Sequence, residues 1–277
     1  MTLPDVKIPA FTPEWLVVMV LYTLLGVDSD MLMNSWVLVV GVFVFAGVVK
    51  GVVGLGLPTI SMAVLSLFMA PAQAAALLVV PSLVTNVWQA GPPGSVWTVL
   101  RRIGGMQWGI VLGTLVGAKV LGAPAGAWAS ASLGLALMAY GAWGLSGRSF
   151  SVAAGPDKWL GPIVGALTGM VTAATGVFVV PAVPYLGALG LGRDALIQAM
   201  GISFTVSTVA LAAGLWMNDS YSLGAAGASF FMLIPALAGM YLGQLLRKSL
   251  SPALFRRCFL WSIAVLGGYL LVNAYLA

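Results

Sequence analysis

The sequence predicts an all-α integral membrane protein built of two inverted-topology repeats, each a broken helix hairpin followed by three transmembrane helices. Three observations carry this prediction. Of the 277 residues, 61% are hydrophobic and 7% charged, where a soluble domain carries about 25% charged residues. Several apolar runs reach about 20 residues, the length an α-helix needs to span about 30 Å of hydrocarbon, and the alternating ten-residue segments of a membrane barrel are missing. The order of helix breaks in the first half of the chain recurs in the second.

Composition also excludes several function classes. Cys258 is the single cysteine and there is no histidine, which removes internal disulfides, cysteine metal clusters, histidine bases and histidine ligands. The net charge of +5 comes from twelve scattered basic residues. That pattern fits loop charge at a membrane face, and no basic run with interleaved aromatics suggests nucleic acid. No catalytic residue, cofactor, metal or nucleic-acid partner is expected.

Residues 1–34 form an N-terminal segment. Its apolar piece Trp15–Leu25 has Glu14 before it and Asp28 and Asp30 after it. It lacks the basic start of a secretory signal and is expected to form a short helix, lying at the interface or packed on the bundle.

The first repeat is 35–146. An apolar segment runs from Trp36 to about Lys50 and meets the stretch Gly47–Pro58, G-V-V-K-G-V-V-G-L-G-L-P. Gly54, Gly56 and Pro58 oppose a straight helix through this point. Lys50 has no acidic residue within fifteen positions, and a charge at bilayer depth costs roughly 2.5 to 3.5 kcal/mol. The expectation is a helix that breaks here, with its freed backbone and Lys50 lining a cavity instead of lipid. A short helix should restart near Leu57 and run to Met69, with proline in its first turn and its amides pointing into the break. Such an end attracts anions. Two plainer readings stand beside this one: the glycines serve close helix packing, and Lys50 snorkels to the membrane surface.

The next segment, Pro71–Ala90, carries Ser82, Thr85, Asn86 and Gln89 on one face. Asn86 and Gln89 are candidate ligand or gate residues, against the alternative of interhelical hydrogen bonding. The loop Gly91–Gly94 should end it. Arg101 and Arg102 should precede the next span, Ile103–Gly122, where Lys119 snorkels near the end. A turn at Pro124 leads to Ala125–Leu145.

The linker 147–158 marks the centre, and the second repeat is 159–277. Here Trp159–Thr175 is broken at Gly176 and Pro181, and a short segment continues to Leu191. Asp194–Leu215, Tyr221–Leu246 and a helix from Cys258 follow. An offset of 122 residues sets Gly54 against Gly176 and Asn86 against Thr208. Thr175, Gly176 and Pro181 are expected to build the matching helix end, and Ser203, Ser207 and Thr208 the matching polar stripe, with Gln198 earlier on the same segment. No acid lies mid-span, so a buried carboxylate relay has no residue to use. Six tryptophans at segment ends, Trp36, Trp88, Trp97, Trp159, Trp216 and Trp261, read as interfacial anchors; Trp108, Trp128 and Trp143 do not fit that reading as well, and nothing picks them out as a site.

Charge distinguishes the possible topologies. If each hairpin enters and returns on one side, Arg101, Arg102, Arg148, Lys158, Arg193, Arg247, Lys248, Arg256 and Arg257 share a face. Asp28, Asp30 and Asp219 then fall opposite, with Lys119 near that end of its span. The basic face is cytoplasmic by the positive-inside rule. Eight plain spans would split the basic residues between the two sides. Inverted halves holding a site between them are a plan common in secondary transporters.

The stretch V-V-K-G-V-V-G-L-G-L-P, followed by P-A-Q-A-A-A-L-L-V-V-P-S-L-V-T-N-V-W-Q, resembles the TauE/SafE family of membrane permeases. The segment G-A-L-T-G-M-V-T-A-A-T-G-V-F-V-V-P resembles the second repeat of that family, though Val177 and Phe178 stand where glycines are frequent. The resemblance covers nearly all of the chain after Trp36. It implies transport of sulfur-containing anions, such as sulfite or organosulfonates, across the inner membrane by a multi-pass permease. By carry-over, Lys50, Gly54, Gly56, Asn86 and Gln89 belong to the first motif, and Thr175, Gly176 and Pro181 to the second. The expected substrate-binding set is therefore Lys50, Gly54, Gly56, Pro58, Asn86, Gln89, Thr175, Gly176, Ser203 and Ser207. The expected partners are a small anion, the lipid bilayer and a possible coupling ion. Alternatives are an anion channel of the same fold, an exporter of sulfite or another organic anion, and an intramembrane enzyme using Lys50 to activate a serine.

Overall fold

The computed structural model describes residues 36–148, 151–152, 157–247, 249 and 251–276. The N-terminal segment 1–34 with its expected helix, the middle of the linker and Lys248 lie outside them. Ten helices occur among the described residues: α1 (Trp36–Val53), α2 (Leu57–Leu65), α3 (Pro71–Ala90), α4 (Pro93–Leu121), α5 (Gly126–Ser146), α6 (Asp157–Thr175), α7 (Ala182–Ala188), α8 (Arg193–Met217), α9 (Leu223–Leu246) and α10 (Pro252–Leu276). Six of them, α1, α3, α4, α8, α9 and α10, are long and apolar enough to cross a membrane.

Both expected breaks are present. α1 stops at Val53 and α2 restarts at Leu57, with Gly54 at φ 82° and Gly56 at φ 113°. A side chain is strained at such angles, so glycine permits the reversal. α2 has nine residues and α7 seven. At 1.5 Å per residue neither reaches half of a ~30 Å core.

Two helix starts differ from expectation. α4 begins at Pro93, ten residues before Ile103, so Arg101 and Arg102 lie inside it. Proline in a first turn gives up only an N–H that would have no partner there, so Pro93 starts a helix where a loop was expected. The Arg101 guanidinium sits 5.3 Å over the Trp97 ring one turn away, which lets the charge ride on an interfacial indole. α10 likewise begins at Pro252, ahead of Cys258, and takes in Arg256 and Arg257 as exposed residues. α2 ends at Leu65, not Met69, because Ser66–Met69 turn before Pro71.

The helices pair by a rule that survives exchange of the halves. α1 packs on α9 and α6 on α4; α3 packs on α9 and α8 on α4; α3 packs on α8, and α5 on α10. Glycine makes the closest pairs possible. A Cβ on Gly47 would lie 2.3 Å from the Ala236 carbonyl oxygen, and one on Gly243 2.2 Å from that of Val48. Between α4 and α6, a Cβ on Gly113 would lie 2.2 Å from the Ala166 oxygen and one on Gly165 2.1 Å from that of Met106. These backbones touch, so four-residue glycine spacing here is packing. Gly47 and Gly51 belong to the packing set.

The ends of the bundle are distinct. At one end the Ala72 N–H donates to the Pro124 carbonyl at 2.9 Å, joining the start of α3 to the α4–α5 turn. Leu38 and Val39 of α1 share a cavity there with Leu65 and Gln73. At the other end the Val152 N–H donates to the Ala188 carbonyl at 2.9 Å, joining the linker to the end of α7. Hairpin α1–α2 therefore opens at the first end, and hairpin α6–α7 at the second.

Candidate functional site

The first break sets the site. The Gly54 N–H closes the last turn of α1 on the Lys50 carbonyl at 2.7 Å. Lys50 thus stands one turn before the tip of the hairpin, and its residue is only 5% exposed. It does not snorkel into solvent. Its ammonium donates to Thr85 Oγ1 at 3.0 Å and to Asn86 Oδ1.

Both acceptors are fixed by their other bonds. The Thr85 hydroxyl donates to the Pro81 carbonyl at 2.7 Å, so its oxygen is left to accept. The Asn86 amide nitrogen donates to Thr208 Oγ1 at 3.4 Å, and the Thr208 hydroxyl in turn donates to the Phe204 carbonyl at 2.7 Å. With its NH2 turned to Thr208, Asn86 presents its oxygen to the ammonium. The chain Lys50–Asn86–Thr208 runs from the hairpin through α3 to α8 and crosses from one half to the other.

Two neutral oxygens do not neutralise an ammonium. A buried charge without a counter-charge is several kcal/mol unfavourable, and two of the three donors are spoken for. The third has no hydrogen-bond partner among the described residues.

Lys50, Gly54, Leu55, Thr85 and Gln89 line a cavity of about 630 Å³. Arg148, Arg193, Arg247 and Arg256 line the same cavity, together with Tyr140, Trp88 and Trp143, and among the described residues no aspartate or glutamate does. The arginines come from the linker, the first turn of α8, the end of α9 and the start of α10. Their charges converge because these four segments meet at one end of the bundle. Gln89 forms one wall. Its amide donates to the Ile197 carbonyl at 3.4 Å, and Gln198 answers from α8 by donating to the Ala90 carbonyl at 2.6 Å. Gly201 lets the helices cross here, since a Cβ would lie 2.4 Å from the Ala90 nitrogen.

The other expected residues sit apart from this cavity. Gly56 and Pro58 are buried behind it, with Gly56 facing Phe259. Ser203 accepts from the Gln107 amide at 2.9 Å. Ser207 stands just before Thr208, as Thr85 stands before Asn86. Its hydroxyl is buried without a hydrogen-bond partner among the described residues. Thr175 turns its hydroxyl back to the Val171 carbonyl at 2.7 Å and accepts from the Val177 N–H at 3.1 Å. Gly176 abuts Met62, and Phe178 lies against Phe204 with ring centroids 5.1 Å apart. The second break is thus packed with apolar side chains, and the two breaks are chemically unlike.

Sequence reasoning placed the arginines on one face but did not gather them around Lys50. Tyr140 and Gln107 carry no signal beyond a single residue inside an apolar span, and nothing in the sequence picks out Trp143 as a site. Sequence reasoning also left Thr208 outside the binding set, although the 122-residue offset had already set it against Asn86.

The sequence model of the family described as sulfite exporter TauE/SafE matches residues 39–270 of the chain. Comparison with curated proteins and with solved structures gives no match.

Proposed function

We propose a cargo and a mechanism for this chain, which belongs to the sulfite exporter TauE/SafE family and is a multi-pass membrane transporter. The cargo is a small sulfonate or related sulfur oxyanion. It binds at the tip of hairpin α1–α2, where Lys50 supplies the charge and the open space at Gly54 leaves room. The observation that carries this reading is a buried ammonium held by two neutral oxygens at the foot of a cavity with no carboxylate among its described lining residues. An anion is the group that completes such a site.

Transport proceeds by alternating access between two inverted halves, with the basic end in the cytoplasm of a cell whose inner membrane holds the protein. Hairpins that open at opposite ends, and helix pairs that exchange with the halves, support the inverted plan. Asn86 couples the lysine to the opposite half through Thr208, so the same bond that positions the charge reports on how the halves sit. Thr175, Gly176, Ser203 and Ser207 enter the cargo path in another state of the cycle, when the packed second break opens.

The test is ligand binding to purified protein. Sulfite or methanesulfonate raises the melting temperature of the wild type in detergent. Lys50→Ala keeps the fold and loses that rise; an unchanged rise would remove Lys50 from the site. Exchange in liposomes separates a carrier from a channel, because only a carrier is accelerated by substrate on the far side.

A further inference from the structure

We infer that Arg148, Arg193, Arg247 and Arg256 form a second anion-binding station at the mouth of the cavity, which takes a small oxyanion independently of Lys50. The inference rests on the reading of Lys50 as the inner cargo site.

Three observations lead to it. First, the two sets of groups differ in kind. Lys50 is buried with two of its donors already used, whereas the four arginines are exposed and none forms an ion pair with a described residue. A guanidinium offers a fork of N–H donors that matches an oxyanion in two-point fashion. Second, the charge is more than one monoanion neutralises. Five cations line one cavity with no carboxylate among its described lining residues. Their mutual repulsion is relieved by anions lodged between them. Third, there is space. The cavity has about 630 Å³, while a small oxyanion fills the volume of a few waters at about 30 Å³ each. One anion on Lys50 leaves the outer part unfilled.

The arrangement gives loading in two steps. An anion from the basic end meets the exposed guanidiniums first, where salt screens the attraction. It then passes Gln89 and Trp88 to the buried lysine, where screening is weak. The station raises the local anion concentration beside the hairpin tip and so speeds loading from that end.

The experiment is calorimetric titration with methanesulfonate of protein held in phosphatidylcholine nanodiscs. The expected wild-type result is two binding classes, the outer one weakening about tenfold from low to high salt. Arg193→Gln/Arg256→Gln should lose the outer class and keep a single, salt-resistant one, while Lys50→Met should lose the inner class alone. If that arginine pair prevents folding, Arg148→Gln/Arg247→Gln serves in its place. A single class in the wild type that persists in the arginine variant overturns the station and leaves the lysine site standing. An outer class untouched by the arginine changes overturns it too. Two classes that both survive Lys50→Met would instead remove the inner site. The titration is repeated in discs containing anionic phospholipid. Loss of the outer class there means lipid headgroup phosphates own the arginines, and overturns the assignment to a soluble oxyanion.

Discussion

Asn86 and Thr208 are 122 residues apart and touch: the asparagine NH2 donates to the threonine hydroxyl oxygen at 3.4 Å. The offset that aligns the two halves therefore also names a contact between them. In Thr208→Val that acceptor is lost, and the Asn86 amide is free to turn its NH2 toward the ammonium. A hydrogen bond of this kind is worth about 1 kcal/mol, or roughly five-fold in affinity. Sulfite affinity measured by titration should drop by about that factor in Thr208→Val and be restored in Thr208→Ser, which keeps the oxygen.

The α4–α6 pair gives a sharp contrast between two glycines. A Cβ at Gly165 meets only backbone, with the Met106 oxygen at 2.1 Å, while one at Gly104 meets nothing within 4 Å. Gly165→Ala must push the helices apart, an overpacking cost of about 1 to 3 kcal/mol. It should lower Tm clearly in detergent. Gly104→Ala should leave Tm unchanged or slightly raised, since alanine is the better helix former.

Pro81 inside α3 has no N–H to give the Leu77 carbonyl. The Ser229 hydroxyl of α9 takes its place, donating to that carbonyl at 2.8 Å and accepting from the Val80 N–H at 3.0 Å. Ser229→Ala should destabilise by about 1 to 2 kcal/mol. In a Pro81→Ala background the regular helix bond returns, and the same serine change should cost much less. A double-mutant cycle from thermal unfolding measures the difference.

At the hairpin tip, Gly56→Ala combines a positive φ with a Cβ 3.0 Å from Val49. Forcing an alanine there costs about 1 to 3 kcal/mol. Gly54 has an equally left-handed backbone but open space, so Gly54→Ala should carry strain without a clash. Tm should fall in both variants and further in Gly56→Ala. Anion affinity should respond to Gly54→Ala, whose methyl enters the cavity.

Several features were legible in the residues. The Gly54 and Gly56 break, the restart at Leu57 and the polar face of α3 all follow from backbone rules and helical spacing. The starts at Pro93 and Pro252 were missed because a proline that ends one element also begins the next, and nothing local separates the two uses. The shared order of glycine and proline makes the second break look like a twin of the first, yet Val177 and Phe178 fill it with apolar side chains. The glycine stripe of α4 and α6 was overlooked because close backbone contact needs two partners, and sequence shows one at a time.

By itself the sequence determined a membrane bundle, a lysine at a glycine break and a one-sided distribution of cations, because hydropathy, backbone freedom and loop charge act over neighbouring residues. The tertiary structure alone decided that Thr208 orients Asn86, that Ser229 answers Pro81 and that four arginines from distant segments face one lysine across a cavity. Those outcomes depend on which helix ends meet, and that is set by packing over the whole bundle.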